Sequence, residues 1–264
     1  MLLLLAAPSS ARGRHVTASL IAEQSWIRPG RPLSVGLRLQ MDPEWHTYWM
    51  NPGDSGLPTR IHWTLPPGFE AGPPAWPSPE RFASDPLASY GYSGEVVLLS
   101  ELRPPAAAPI GAPVEIAARV TWLECRDVCL PGKAELALRL DVRGSDPPPD
   151  ARWAKAFADA RGRLPRPGAP WRFEARAAAA GLALEASGAA PPPRRAYFFP
   201  SRADLVEHGE AQALELRRRG FRLLLPLSPN ASRPERLEGV LEADGVGYAL
   251  TAPVLPTNPE GGKR

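Results

Sequence analysis

The chain holds two cysteines, Cys125 and Cys129, both within the segment VTWLECRDVCLPGKAELALRLDV. The sequence on either side of them alternates apolar and polar residues, as a β-strand does. If the strands end and resume at the cysteines, Arg126, Asp127 and Val128 form the loop of a hairpin. Opposed residues in an antiparallel ladder have Cα atoms ~4.5–5.5 Å apart, which suits a disulfide. The spacing therefore predicts a bond that closes with little backbone movement.

Two functions fit a disulfide of such short range. It closes too small a loop to constrain the unfolded chain much, which favours reversible thiol–disulfide exchange. A hairpin staple without chemistry is the alternative. Arg126 could lower the pKa of a neighbouring thiol, whereas Asp127 and Glu124 would oppose that effect. These three side chains are candidate modulators of the cysteine pair, and the sequence leaves both functions open.

The alternation also predicts which way the first sulfur points. Val120 and Trp122 share the inward face of their strand, so Leu123 and Cys125 are expected on the outer side. On this interpretation Cys125 does not fill the core.

A further candidate modulator, His46, lies in the segment EWHTYWMNPGDSG. It could orient or protonate a thiol. With Met50 and the two cysteines it could also bind copper(I), since soft sulfur ligands favour that ion. The simpler interpretation is a packed strand with Trp45, Thr47 and Trp49 inside and His46 facing water.

The remaining histidines suggest no site. His62 is predicted on the polar face of its strand, His208 has no evident partner, and His15 is predicted to be frayed near the N-terminus. No Ser-His-Asp order, phosphate loop or zinc-ligand spacing occurs, so no cofactor and no metal is predicted.

Composition narrows the class of protein. The net charge is +3, and the arginines are scattered instead of forming a basic stripe with interleaved aromatics, so no nucleic-acid partner is expected.

Residues 1–13 read as a signal-like segment, because the apolar run Leu2–Ala7 precedes the small residues Ser9, Ser10 and Ala11. The segment lacks a basic start and is short. It nevertheless predicts export to a compartment where disulfides persist.

The patterning predicts an all-β chain. Residues 15–143 read as an immunoglobulin-like antiparallel β-sandwich, because strand-like runs alternate with turn-rich connections. Residues 144–170 read as a linker with one short helix, capped by Asp150 and carrying an apolar stripe of Trp153, Ala156, Phe157 and Ala160. Residues 171–256 are predicted to form a second, smaller β-rich domain with a structural or docking role, and residues 257–264 a disordered tail.

Three segments carry a family resemblance. VTWLECRDVCLPGKAEL resembles the cysteine-bearing segment of the periplasmic N-terminal domain of the thiol:disulfide interchange protein DsbD and its ScsB-like relatives. PEWHTYWMNPGDSGLPTRIHW (residues 43–63) and YGYSGEVVL (residues 90–98) resemble further segments of that family in the same order. The three-residue gap between the cysteines fits the ScsB-like branch. AYFFPS in the second domain is similar to the extra domain of ScsB-like chains.

The resemblance implies an immunoglobulin-like fold and a protein-disulfide reductase activity. Cys125 and Cys129 would be the redox pair, one attacking a partner's disulfide and the other resolving the mixed disulfide. Electrons would pass from a membrane donor to oxidised periplasmic thioredoxin-like proteins. In the family an aromatic residue shields the pair, and Tyr90 or Tyr92 would serve here. Related chains continue into transmembrane and thioredoxin-like domains, so we expect either a longer gene product or a separate polytopic membrane donor.

Overall fold

The computed structural model describes residues 10–178, 181–229, 231–232 and 234–256. The predicted tail and the apolar run Leu2–Ala7 lie outside these residues. Within them the chain is almost entirely β, as predicted, with one α-helix. No helix in the described part of the chain is long and apolar enough to cross a membrane.

The chain divides into two compact units. Unit 1 comprises residues up to Met50 together with Gly56–Pro77 and Gly91–Leu164. Unit 2 comprises Asn51–Ser55, Ser78–Tyr90 and the residues from Pro165 onward. The chain passes between the units within two strands, so each unit is assembled from separate stretches of sequence.

The strands that precede the helix are β1 (Ser10–Arg12), β2 (Val16–Ala22), β3 (Leu33–Met41), β4 (His46–Gly53), β5 (Arg60–Thr64), β6 (Glu70–Ala71), β7 (Glu80–Ser84), β8 (Leu87–Ser93), β9 (Glu95–Arg103), β10 (Pro113–Cys125) and β11 (Cys129–Asp141). Helix α1 spans Ala154–Gly162. The later strands are β12 (Arg172–Ala178), β13 (Gly181–Ser187), β14 (Ala196–Pro200), β15 (Ala213–Arg217), β16 (Gly220–Pro226), β17 (Arg236–Ala243) and β18 (Val246–Leu255).

Unit 1 contains two antiparallel sheets. One has the order β1-β2-β3-β9-β6, and the other runs β11-β10-β4-β8, with β5 also paired to β10. Strand β2 of the first sheet contacts β11 of the second, so the sheets lie as layers around a shared core. The apolar residues that alternate along β3, β10 and β11 are largely buried. Strand β9 is buried on both faces from Val96 to Ser100, as its continuous apolar run predicts.

Helix α1 packs on the outer side of the first sheet. Its Phe157 and Ala160 are buried against Ile21, Val97 and Leu99. Trp153 and Ala156 complete the predicted stripe as half-buried residues, so the stripe is confirmed.

The predicted helix start was wrong. Asp150 does not cap α1, and Trp153 occupies the N-cap position without a side-chain bond. The Asp150 carboxylate accepts a hydrogen bond from the backbone nitrogen of Arg152. The Asp150 backbone carbonyl accepts one from the backbone nitrogen of Ala154. These bonds hold a turn before the helix, which therefore begins a few residues later.

Unit 2 is built mainly on a seven-stranded sheet in the order β14-β17-β18-β12-β13-β16-β15. All of its pairings are antiparallel except that of β12 with β18, which is parallel. Leu184, Phe198, Phe221 and Leu241 lie in its fully buried core. The sequence SRADLVEHGEAQALELRRRG (residues 201–220) is compatible with a helix or with a strand and a loop, and in the structure it forms a loop followed by β15.

The first described residues form the edge strand β1. Ser10 and Ala11, expected in a signal-like segment, pair there with Ser19 and Ala18 of β2, and the signal-like segment stays a prediction. The prediction for His15, near this strand, is wrong. His15 is not frayed, because its ring stacks on Trp45 with ring centroids 3.7 Å apart and its Nδ1 lies 3.3 Å from an Asp42 oxygen.

Candidate functional site: the hairpin disulfide

The cysteines close the end of the longest hairpin in the described chain. Cys125 is the last residue of β10 and Cys129 the first of β11, and the two are direct partners in the ladder. Their sulfurs are bonded, and their Cα atoms lie 4.2 Å apart. The predicted disulfide is confirmed. It follows from the register, since thirteen consecutive antiparallel pairs fix the two residues opposite one another.

The two sulfur-bearing residues differ in exposure. Cys129 is exposed, whereas Cys125 is only 1% exposed. The prediction that Cys125 does not fill the core was therefore wrong. Cys125 follows the alternation but is buried all the same, at the point where β10 also pairs with β4 through Cys125 and His46. A protein partner can reach Cys129, whereas its ladder partner Cys125 is buried.

Strand β4 brings an aromatic hydroxyl to the disulfide. The Tyr48 hydroxyl oxygen lies 3.6 Å from the sulfur of Cys129. The His46 ring meets the Tyr48 ring edge-on, with centroids 5.2 Å apart, and His46 is half-buried and does not simply face water. The sequence pointed to the aromatic cluster but not to this contact. The two-residue spacing of His46 and Tyr48 puts them on one face of β4, but only the pairing of β4 with β10 directs that face at the cysteines.

The loop between the cysteines is exposed. Arg126 donates to Asp127 across 2.8 Å, and its guanidinium also lies 3.5 Å from a Glu44 oxygen and 5.8 Å from the Trp45 ring centroid. The positive charge of Arg126 is therefore shared with two carboxylates beside the disulfide. Val128 is 60% exposed next to Cys129, which gives the loop an apolar tip.

Glu124, the residue before Cys125, is a buried carboxylate that is 1% exposed. One of its oxygens accepts from the backbone nitrogens of Arg14 and His15, at 3.0 and 3.2 Å. The other accepts from the Trp122 indole across 3.1 Å. Glu124 therefore shares the face of Trp122, opposite to that of Cys125, and anchors the segment that precedes β2.

The two tyrosines predicted as shields have other partners. The Tyr92 hydroxyl, in unit 1, donates to the carbonyl oxygen of Pro77 across 2.8 Å. Tyr90 belongs to unit 2, where its hydroxyl lies 2.9 Å from the Tyr197 hydroxyl and 2.9 Å from Nδ1 of His208. Burial, reinforced by Tyr197, raises the pKa of Tyr90 well above its ordinary value. The shielding role of Tyr90 or Tyr92 stays a prediction.

The described residues contain no group of three or more His, Cys, Asp or Glu side chains arranged to hold a metal ion. Met50 is exposed on β4 two residues beyond Tyr48. The copper(I) alternative stays a prediction, since it concerns the reduced thiols.

Comparison with known proteins places this site in a family. Residues 17–141 match the family model described as thiol:disulfide interchange protein DsbD, N-terminal. This part of the chain belongs to the DsbD N-terminal family. We refer to residues 17–141 as the DsbD-type domain. It contains both cysteines, Tyr48 and Glu124.

A solved structure extends the likeness over both units. The N-terminal periplasmic domain of ScsB from Proteus mirabilis matches with a TM-score of 0.71 at 18% identity, over 92% of this chain and 94% of that one. The chain therefore has the fold of that domain, with the predicted immunoglobulin-like sandwich.

Other matches are distant. The YadV chaperone matches with a TM-score of 0.24 at 9% identity, over 89% of this chain and 98% of that one. A chaperone–adhesin complex from Acinetobacter baumannii matches with a TM-score of 0.21 at 14% identity, over 90% and 99%. These TM-scores are too low to support an argument. The search of curated proteins found no match.

Proposed function

We propose that this chain is a periplasmic protein-disulfide reductase module that works through a Cys125/Cys129 dithiol–disulfide pair. The observation that carries the proposal is the disulfide itself, which joins one exposed and one buried cysteine at the end of a hairpin in a DsbD-type domain. Thiol–disulfide exchange needs an accessible sulfur that a partner can attack and a second sulfur close enough to resolve the mixed disulfide, and this pair supplies both.

The exchange can be written from the exposures of the two residues. In the reduced domain, the Cys129 thiolate attacks a disulfide of the partner, a Cys129–partner bond forms, and one partner sulfur leaves as a thiolate. The Cys125 thiolate then attacks the Cys129 sulfur and releases the second partner sulfur. The partner disulfide is reduced by two electrons, and the domain ends with the Cys125–Cys129 bond. The protons that the domain's thiols lose go to water, and the partner's thiolates take up protons from water.

Reduction of the domain would run the same steps in reverse. A membrane-embedded dithiol donor attacks the exposed Cys129 sulfur, and Cys125 leaves as a thiolate. The recipients would be oxidised thioredoxin-like proteins, whose disulfides are accessible to attack. The exposed Val128 beside Cys129 supplies an apolar contact for either partner.

Trapping tests the proposal. Cys125→Ala leaves the exposed thiol without a resolving partner, so mixed disulfides should accumulate in the periplasm and contain thioredoxin-like proteins. Cys129→Ala is the matched control, and it should trap little because the remaining thiol is buried. Non-reducing electrophoresis followed by mass spectrometry identifies the attached proteins.

Redox titration separates exchange from a structural staple. In glutathione or dithiothreitol buffers, an exchange-active pair should titrate well above ~−300 mV, whereas a potential below that value marks a structural bond. A structural potential combined with no trapped partner for either variant would refute the proposal.

A further inference from the structure

Tyr48 is placed where its hydroxyl can act on the reactive sulfur. It is 2% exposed, and its oxygen lies 3.6 Å from the Cys129 sulfur, within hydrogen-bonding range for sulfur. A disulfide sulfur carries no proton, so the hydroxyl must be the donor in the oxidised state. His46, on the same face of β4, pairs with Cys125. Strand β4 therefore runs beside both cysteines, and Tyr48 is the side chain that it places on the Cys129 sulfur.

The segment after β4 holds the Tyr48 ring in place. Gly56 has a φ of +102°, a conformation that residues with a side chain rarely adopt. A Cβ atom at Gly56 would lie 2.2 Å from Cε1 and 2.3 Å from Cζ of Tyr48. The backbone therefore passes directly against the phenol, and this contact needs glycine. The ring cannot rotate away from Cys129 without moving that segment.

We infer that the Tyr48 hydroxyl stabilises the thiolate of Cys129, and that Gly56 is a positioning residue that fixes the Tyr48 ring there. Hydrogen bonds to an ionised acceptor are stronger than those to a neutral one, so the same hydroxyl favours the thiolate over the disulfide. The thiol proton leaves to water, and the phenol keeps its own. The inference deepens the proposed function and rests on it for its biological meaning.

Alkylation kinetics provide a test that needs no partner protein. In the Cys125→Ala background, Cys129 is the sole thiol, and its rate with iodoacetamide can be followed against pH. Adding Tyr48→Phe removes the hydroxyl and keeps the ring. The pH of half-maximal reactivity should rise by about one unit, which lowers the rate roughly tenfold at pH values below the midpoint.

A matched control separates this effect from a general loss of hydrogen bonds. Tyr197→Phe also removes one hydrogen-bonded phenol oxygen, but from unit 2, and should leave the alkylation midpoint unchanged. Gly56→Ala should shift the midpoint in the same direction as Tyr48→Phe, because the added Cβ displaces the ring. Circular dichroism confirms that each variant is folded.

The outcomes distinguish the two proposals. An unchanged midpoint in folded Tyr48→Phe overturns the inference, even if trapping still succeeds. A shifted midpoint in a chain that traps no partner upholds the action of Tyr48 on the thiol and refutes the exchange function. If Tyr197→Phe shifts the midpoint as much as Tyr48→Phe, the effect is not local and the inference is wrong.

Discussion

The Trp122 indole donates to the Glu124 carboxylate across 3.1 Å, two residues along the same buried face of β10. The indole also lies flat against β11, since a Cβ atom at Gly132 would come within 2.2 Å of Trp122 Cε2. The Glu124 carboxylate also accepts hydrogen bonds from the backbone nitrogens of Arg14 and His15. The carboxylate thus joins the cysteine hairpin to the chain that leads into β2.

This arrangement predicts that Glu124 is structural and does not tune the thiols. Glu124→Ala removes the acceptor of the buried Trp122 indole N–H and of the partly buried backbone N–H groups of Arg14 and His15, and should lower the free energy of unfolding by ~2–3 kcal/mol. Chemical denaturation measures the loss, with the exposed Glu115→Ala as a near-neutral control. The alkylation midpoint of Cys129 should not move, because the Glu124 side chain lies on the opposite face from Cys125. If the pH of half-maximal Cys129 alkylation shifts in the folded Glu124→Ala variant, Glu124 does modulate the cysteine pair and the prediction is wrong.

The difference in exposure predicts unequal thiol reactivity. After reduction, Cys129 should be alkylated at least ~10-fold faster than Cys125, because access to the reagent limits attack on the buried thiol. Brief labelling followed by peptide mass spectrometry measures both rates in one sample. Equal rates in the native protein would show that reduction opens the hairpin end.

Docking of α1 should depend on pH through Glu23. The Arg161 guanidinium hydrogen-bonds the Glu23 carboxylate, with Nη2 2.6 Å from Oε2, and holds the pKa of Glu23 below its ordinary value. A lowered folded-state pKa adds stability above the unfolded-state value, and that stability is lost as the pH falls through the folded-state value. Because Arg161 is largely exposed, Glu23→Gln should cost only ~0.5 kcal/mol at pH 7.

The sign of this effect is checked by repeating the measurement in acid. The difference between wild type and Glu23→Gln should shrink as the pH falls below the ordinary Glu pKa of about 4.3 and through the lowered folded-state pKa of Glu23. Thermal unfolding at several pH values gives the comparison. A difference that grows in acid would contradict the assignment of this ion pair.

The edge of the unit 2 sheet is covered by a side-chain amide. Gln212 accepts from the Phe198 nitrogen and donates to the Phe198 oxygen, both at 2.8 Å, as a neighbouring strand would. Gln212→Ala should cost ~1–2 kcal/mol and speed hydrogen exchange at the Phe198 amide. Gln212→Glu keeps the acceptor and should protect that amide, while losing the bond to the Phe198 oxygen. An unchanged exchange rate in Gln212→Ala would show that the amide is protected in another way.

Local patterning predicted the parts of this protein that depend on nearby residues. The alternation around the cysteines predicts β10, β11 and their disulfide, because a tight hairpin fixes register over a short stretch of chain. The apolar stripe predicts the face of α1 that holds Phe157. The start of that helix was misplaced, because Asp150 also suits the turn that precedes the helix.

The tertiary structure decided what lies beside the disulfide. Seventy-nine positions separate His46 from Cys125 along the chain, and no local signal shows that β4 pairs there. In the folded chain Cys125 is buried, Cys129 is exposed, and the same strand β4 brings the Tyr48 hydroxyl to the Cys129 sulfur. The sequence by itself determined that two sulfurs would meet, because their register is local. Which sulfur a partner can reach, and what stabilises it, depended on the packing of distant strands.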